Sequence, residues 1–174
     1  MEWIFTLSIF IFSALCLYAA ISDWNNFKIP NWVSMALIAF WPIHLWAKPE
    51  INGWYLSLAV AVVILLAGMW AFNRNYIGAG DVKFLSSTTL WVPPALIGDY
   101  LMVIAISGGV LCAALLAWRY ASKKRAETVA QTSQSGAIAQ HSPYFKQYAP
   151  YGIAIAIGGL YAACKLLINT NTLG

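Results

Sequence analysis

WIFTLSIFIFSALCLYAAI, residues 3–21, carries no charge until Ser22-Asp23 breaks the run. A bilayer core about 30 Å thick takes roughly 20 apolar residues per helix, so this run has the length of one crossing. No positive segment precedes it and more apolar runs follow, which reads as a permanent helix and not a cleaved signal. Further uncharged runs occupy 30–47, 54–72, 100–118 and 148–164. A sixth, shorter segment lies at 82–92, with Lys83 near its start and Pro93-Pro94 closing it. Eleven residues at 1.5 Å each reach only about 17 Å, so the chain before it is expected to dip to membrane depth. Non-helical backbone survives there only beside protein or a water-filled cavity. The expected fold is an all-α integral membrane protein of about six transmembrane helices with a short fourth helix.

Composition agrees. Of 174 residues, 61% are hydrophobic and only 9% charged, where soluble domains carry about a quarter charged. Mean hydropathy is +0.68. That leaves little chain for a soluble domain, and residues 1–174 read as a single transmembrane domain. Cys16, Cys112 and Cys164 fall singly in separate apolar runs, which encodes neither a disulfide framework nor a zinc module. His44 and His141 read as neither catalytic base nor metal ligand, and no metal or other cofactor is expected.

The basic residues set the topology. Lys28, Arg74, Lys83, Arg119, Lys123, Lys124, Arg125 and Lys146 fall on one set of connections, and only Lys48 and Lys165 on the other. By the positive-inside rule the first set is cytoplasmic and both termini lie outside. Trp3, Trp32, Trp46, Trp54, Trp91 and Trp118 fall near expected helix ends, where an aromatic belt anchors a membrane protein. The polar stretch at about 119–147 reads as a flexible cytoplasmic loop whose Lys123-Lys124-Arg125 is attracted to anionic lipid. No nucleotide-binding glycine fingerprint is present, and no nucleic-acid partner is expected.

The chain has three aspartates. Asp99 reads as an interfacial helix cap. Asp23 ends the first helix, Asp81 ends the glycine loop Gly78-Ala79-Gly80-Asp81-Val82-Lys83, and both fall on the cytoplasmic face. A carboxylate near lipid depth costs roughly 2.5 to 3.5 kcal/mol on insertion scales and is a functional hypothesis by default. Two on one face suit aspartyl hydrolysis, in which one carboxylate deprotonates water while the other, protonated, donates to the scissile carbonyl. Gly78 and Gly80 offer backbone angles closed to other residues and let a peptide approach beside Asp81. Lys83 can hold the pair's charge or snorkel to the interface. Helix capping by either aspartate remains an alternative, as do a small ion-coupled transporter and a non-enzymatic secretion or pilus assembly subunit.

On Asp23 followed by Ile29-Pro30-Asn31, on Gly78-Ala79-Gly80-Asp81-Val82-Lys83, and on Pro150-Tyr151-Gly152 opening the last helix, the chain resembles the type IV prepilin leader peptidases. These are aspartyl proteases of the Gly-x-Gly-Asp class, which includes archaeal preflagellin peptidases and, more distantly, presenilins. The resemblance implies a catalytic pair, Asp23 and Asp81, with Gly78, Gly80 and Lys83 shaping the site. It implies a prepilin substrate, cut at the cytoplasmic face of the bacterial inner membrane between a short basic leader and a hydrophobic helix. Bifunctional members carry a Cys-x-x-Cys insert after the first helix and also N-methylate the product. Only a short loop follows Asp23 here, so the chain looks like the single-function peptidases of tight-adherence (Flp) pili, without methyltransferase activity. Which aspartate is acid and which base, and how close they stand at rest, stay open.

Overall fold

The structure is a computed structural model that describes residues 2–47, 53–132 and 151–171. Six α-helices form among the described residues: α1 (Glu2–Asn26), α2 (Asn31–Ala47), α3 (Trp54–Asn73), α4 (Ala79–Thr89), α5 (Ile97–Thr132) and α6 (Tyr151–Asn171), with a 3-10 turn at Pro94–Leu96 before α5. Four stretches are long and apolar enough to cross a membrane: Trp3–Asn26, Trp54–Asn73, Pro94–Trp118 and Tyr151–Ile168. At 17 and 11 residues, α2 and α4 are shorter than these.

Packing follows the periodicity of α1. Phe5, Ile9, Phe12, Cys16 and Ala19 recur at alternating steps of four and three residues, and all are buried. That spacing forms a seam of the coiled-coil kind. Asp23, one step of four beyond Ala19, continues it and is 4% exposed, while Ile21 and Trp24 on the other faces point outward. The seam faces α6, and α1 also lies against α2. Between apolar helices in lipid there is no hydrophobic drive, so close van der Waals contact through small residues has to hold them. Gly159 of α6 supplies that contact: a Cβ there would stand 2.9 Å from the Cys16 sulfur and 3.4 Å from the Phe12 ring.

The short helix α4 is surrounded by α3, α2 and α6. Ser86, Ser87, Thr88 and Thr89 are all buried in it. Their hydroxyls are satisfied locally: Ser87 donates to the Phe84 carbonyl at 3.0 Å, Thr89 to the Leu85 carbonyl at 2.7 Å, and Thr88 meets the Tyr100 hydroxyl at 2.7 Å. Back-bonding of this kind lets hydroxyl residues sit in a buried helix without orphaned polar atoms.

Two expectations change. Trp91 is not a belt residue: it is 2% exposed, donates its indole N–H to the Leu37 carbonyl at 3.1 Å, and stacks on Phe12 with ring centroids 5.0 Å apart. An indole serves an interface and a buried site equally well, provided its N–H finds an acceptor. Trp3, Trp32, Trp46, Trp54 and Trp118 are all exposed. The segment expected as loop from 119 begins as helix, because α5 continues to Thr132, and 133–150 lie outside the described residues.

Trp91→Ala is expected to lower stability by about 3–5 kcal/mol, the usual cost of emptying a large buried aromatic site. Trp118→Ala, at a side chain 70% exposed, should cost within about 0.5 kcal/mol. Unfolding titrations of the purified protein in detergent compare the two.

Candidate active site

Asp23 reaches the bundle interior because it extends the buried seam of α1. There it meets the start of α6, where the Gly152 backbone N–H donates to its Oδ2 at 2.8 Å, and the Ile153 amide also faces it. The first N–H groups of a helix lack intrahelical acceptors and attract an anion, which explains a carboxylate seated at this point. Gly152 has to be glycine for this. A Cβ on it would stand 2.8 Å from Asp23 Oδ2 and 2.7 Å from Ile29 Cδ1.

Asp81 is held in a similar way by a different helix. Gly78 is the N-cap of α4, and Asp81, three residues on, turns its carboxylate back to accept from the Gly78 N–H. This is the reciprocal half of a capping box. The glycines here serve a purpose other than the expected one. Gly78 has φ −72° and ψ 141°, ordinary extended backbone, and Gly53 is the glycine with positive φ among the described residues. A Cβ at Gly78 would stand 2.9 Å from Asp81 Oδ2, whereas one at Gly80 would lie in ordinary contact, 3.5 Å from the Ile29 carbonyl. Gly78 therefore leaves room for the carboxylate, and Gly80 for the chain that enters α2.

Both aspartates line one cavity of about 640 Å³. Its wall comes from the turn after α1 (Asn26, Lys28, Ile29, Asn31), the turn after α3 (Asn75, Tyr76), and Tyr151. Phe27 and Asn75 hold left-handed backbone angles, φ 50° and 59°, at the two bends that fold these turns over the site. Asp81 lies outside the four spans, and its carboxyl is pushed up to about 7, first by burial and then by the negative charge of Asp23. Two like charges that feel each other through a buried site titrate as a pair.

Of the residues expected at the site, Asp23, Asp81, Gly78 and Gly80 line this cavity. Lys83 does not: it is exposed, and its Nζ lies 3.4 Å from Asn31 Oδ1, tying α4 to the start of α2. Tyr151 and the Gly152 amide were visible in the sequence only as part of a motif. Pro150, the first residue of that motif, falls outside the described residues. His44 is buried away from this cavity, its Nδ1 2.9 Å from the Ser8 hydroxyl. Among the described residues no three His, Cys, Asp or Glu side chains are grouped to hold a metal ion.

The sequence profile of the type IV leader peptidase family matches residues 10–117, a stretch that contains Asp23, the glycine loop and Asp81 and ends before α6. No curated protein and no solved structure matches the chain. The profile spans more than half of the chain, and it places the molecule among hydrolases and apart from carriers or assembly subunits. The chain belongs to the type IV leader peptidase family: it is a membrane-embedded, aspartic-type peptidase whose substrate is a prepilin.

Proposed function

We propose that Asp23 and Asp81 are the catalytic pair, and that this chain removes the short basic leader from Flp-type prepilins at the cytoplasmic face of the inner membrane. The observation that carries this reading is the shared cavity: two carboxylates, each accepting a backbone N–H at the start of a different helix, open into one polar space. The pair shares one proton, and burial of Asp81 favours keeping it there. Ionised Asp23 then takes a proton from water as that water attacks the scissile carbonyl, and Asp81 donates to the carbonyl oxygen. Collapse of the tetrahedral diol breaks the C–N bond, with a proton returned to the leaving amine. Gly78 leaves room for the Asp81 carboxylate, Gly80 lets α4 lie beside the chain entering α2, and Lys83 joins α4 to Asn31.

The basic connections support a cytoplasmic active site with both termini outside. A single peptidase domain, 1–174, then carries its segment at about 119–147 in the cytoplasm. Only Phe27 to Pro30 separate α1 from α2, which leaves no room there for a Cys-x-x-Cys insert and supports a peptidase without N-methyltransferase activity.

Co-expression with candidate prepilins, read by gel shift of the released pilin, tests the reading. Asp23→Asn and Asp81→Asn should each slow leader removal by about 10²–10⁴-fold, the range for loss of a general acid or base. Processing by either variant at the wild-type rate contradicts the pair.

Gly152→Ala should cost about 10²-fold, the usual penalty of displacing a reacting group by an ångström, and Gly78→Ala a similar amount. Gly80→Ala, with room for its Cβ, should stay within about tenfold of wild type. Initial rates on one prepilin rank the three.

The pH profile follows from Asp81. A carboxyl raised to about 7 keeps its proton below that value and loses it above, so activity should decline as pH rises through about 7. A rate that stays level through pH 9 would mean that Asp81 does not supply the proton.

A further inference from the structure

Two aromatic side chains, Phe27 and Tyr76, line the polar cavity with the aspartates, and the bond-breaking chemistry uses neither. Each is delivered by the end of a helix. The Phe27 N–H donates to the Asp23 carbonyl at 2.9 Å and closes α1 with a left-handed residue, φ 50°. That position usually falls to glycine, because an L side chain there is strained. At the end of α3 the Asn75 N–H donates to the Phe72 carbonyl at 2.8 Å and the Tyr76 N–H to the Ala71 carbonyl at 3.1 Å. This is a Schellman motif with Asn75 left-handed at φ 59°. The residue after the left-handed one commonly packs back on its own helix, yet Tyr76 is 68% exposed, and Phe27 is 53% exposed. Neither ring belongs to the buried core; both remain open on the cavity wall.

Resting on the catalytic reading above, we infer that Phe27 and Tyr76 form the subsite that receives a lysine or arginine side chain of the leader, held on their ring faces by cation–π contact. Three observations select a cation. The first is the supply of charge: Asp23 and Asp81 are the only carboxylates that line the cavity among the described residues. An ammonium or guanidinium seated on ionised Asp23 would occupy the base that has to take a proton from water, so a basic leader has to be held by something other than the pair. A ring face attracts a cation through its quadrupole, with no proton to exchange. Second, both rings stand at helix C-termini, whose carbonyl ends carry partial negative charge and favour a cation, and the last turns of α1 and α3 contain no basic residue. Third, the chain already uses this contact for its own cations. Arg74, at the C-cap of α3 but outside the cavity, lies over the Trp70 ring at 5.0 Å, and Lys165 Nζ lies 5.9 Å from the centre of the Tyr161 ring. Lys28 lines the same wall, but it is exposed, and water screens its charge.

Binding of a labelled prepilin-junction peptide to Asp81→Asn protein in detergent tests the subsite. Two peptides are compared, one with the leader's lysine and arginine residues intact and one with each replaced by glutamine. Pentafluorophenylalanine in place of Phe27 keeps the shape of the ring and reverses its charge distribution, so the turn itself is left alone. Tyr76→Leu removes the second ring. Each change should raise Kd for the basic peptide by about two- to fivefold and leave Kd for the glutamine peptide unchanged. Trp24→Leu, at an exposed ring of α1 that does not line the cavity, should alter neither. Unchanged affinity for the basic peptide overturns the subsite. Equal weakening of both peptides makes the rings an apolar wall or an interfacial anchor and overturns it too, as does a loss in Trp24→Leu as large as in the other two. These readings involve no cleavage, so processing of a prepilin by Asp81→Asn exposes a failed catalytic pair separately from a failed subsite.

Discussion

The hydrogen bond from the Gly152 amide to Asp23 joins the two ends of the chain, from the last turn of α1 to the first turn of α6. A carboxylate among apolar helices is costly unless it finds donors. The start of α6 offers donors that no other part of that helix needs. Once this bond is made, the depth of Asp23 and the closeness of α1 and α6 depend on each other. The small residues of the seam, Gly152 and Gly159 above all, let the two backbones come near enough for the bond to form.

The same economy governs Asp81. Because α4 is short, its N-terminus opens inside the protein and not at a distant surface, and a capping interaction of ordinary kind becomes a way to place a carboxylate. Two helix starts therefore supply donors to two carboxylates around one polar cavity, while the side walls of α3 and α5 remain apolar. Asp81 is where those two environments meet.

Much of this was legible in the sequence, and the misses have physical causes. Charge-free runs marked the long helices, since a single charge inside a span is expensive, whereas the short one, expected at 82–92, runs from Ala79 to Thr89, so that Gly80 and Asp81 lie in its first turn and not in a loop before it. The burial of Asp23 follows from its four-residue step beyond Ala19. Trp91 was misplaced because an indole near a helix end suits a belt or a core, and only the nearby Leu37 carbonyl decides between them. Gly78 makes space for a carboxylate and adopts no unusual angle, so the backbone freedom expected of it is not what its position uses. The role of Gly152 lies in a backbone N–H, which every residue but proline possesses, so its residue type signalled only that a side chain was unwelcome.

The central claim is that Asp23 and Asp81 act together on one bond. A structure of the protein with a prepilin-junction peptide whose scissile amide is replaced by hydroxyethylene tests it most directly, because that hydroxyl stands in for the attacking water in the tetrahedral state. The account predicts the hydroxyl within about 3.2 Å of a carboxylate oxygen from each aspartate. A hydroxyl held by one aspartate alone, or by neither, would contradict it.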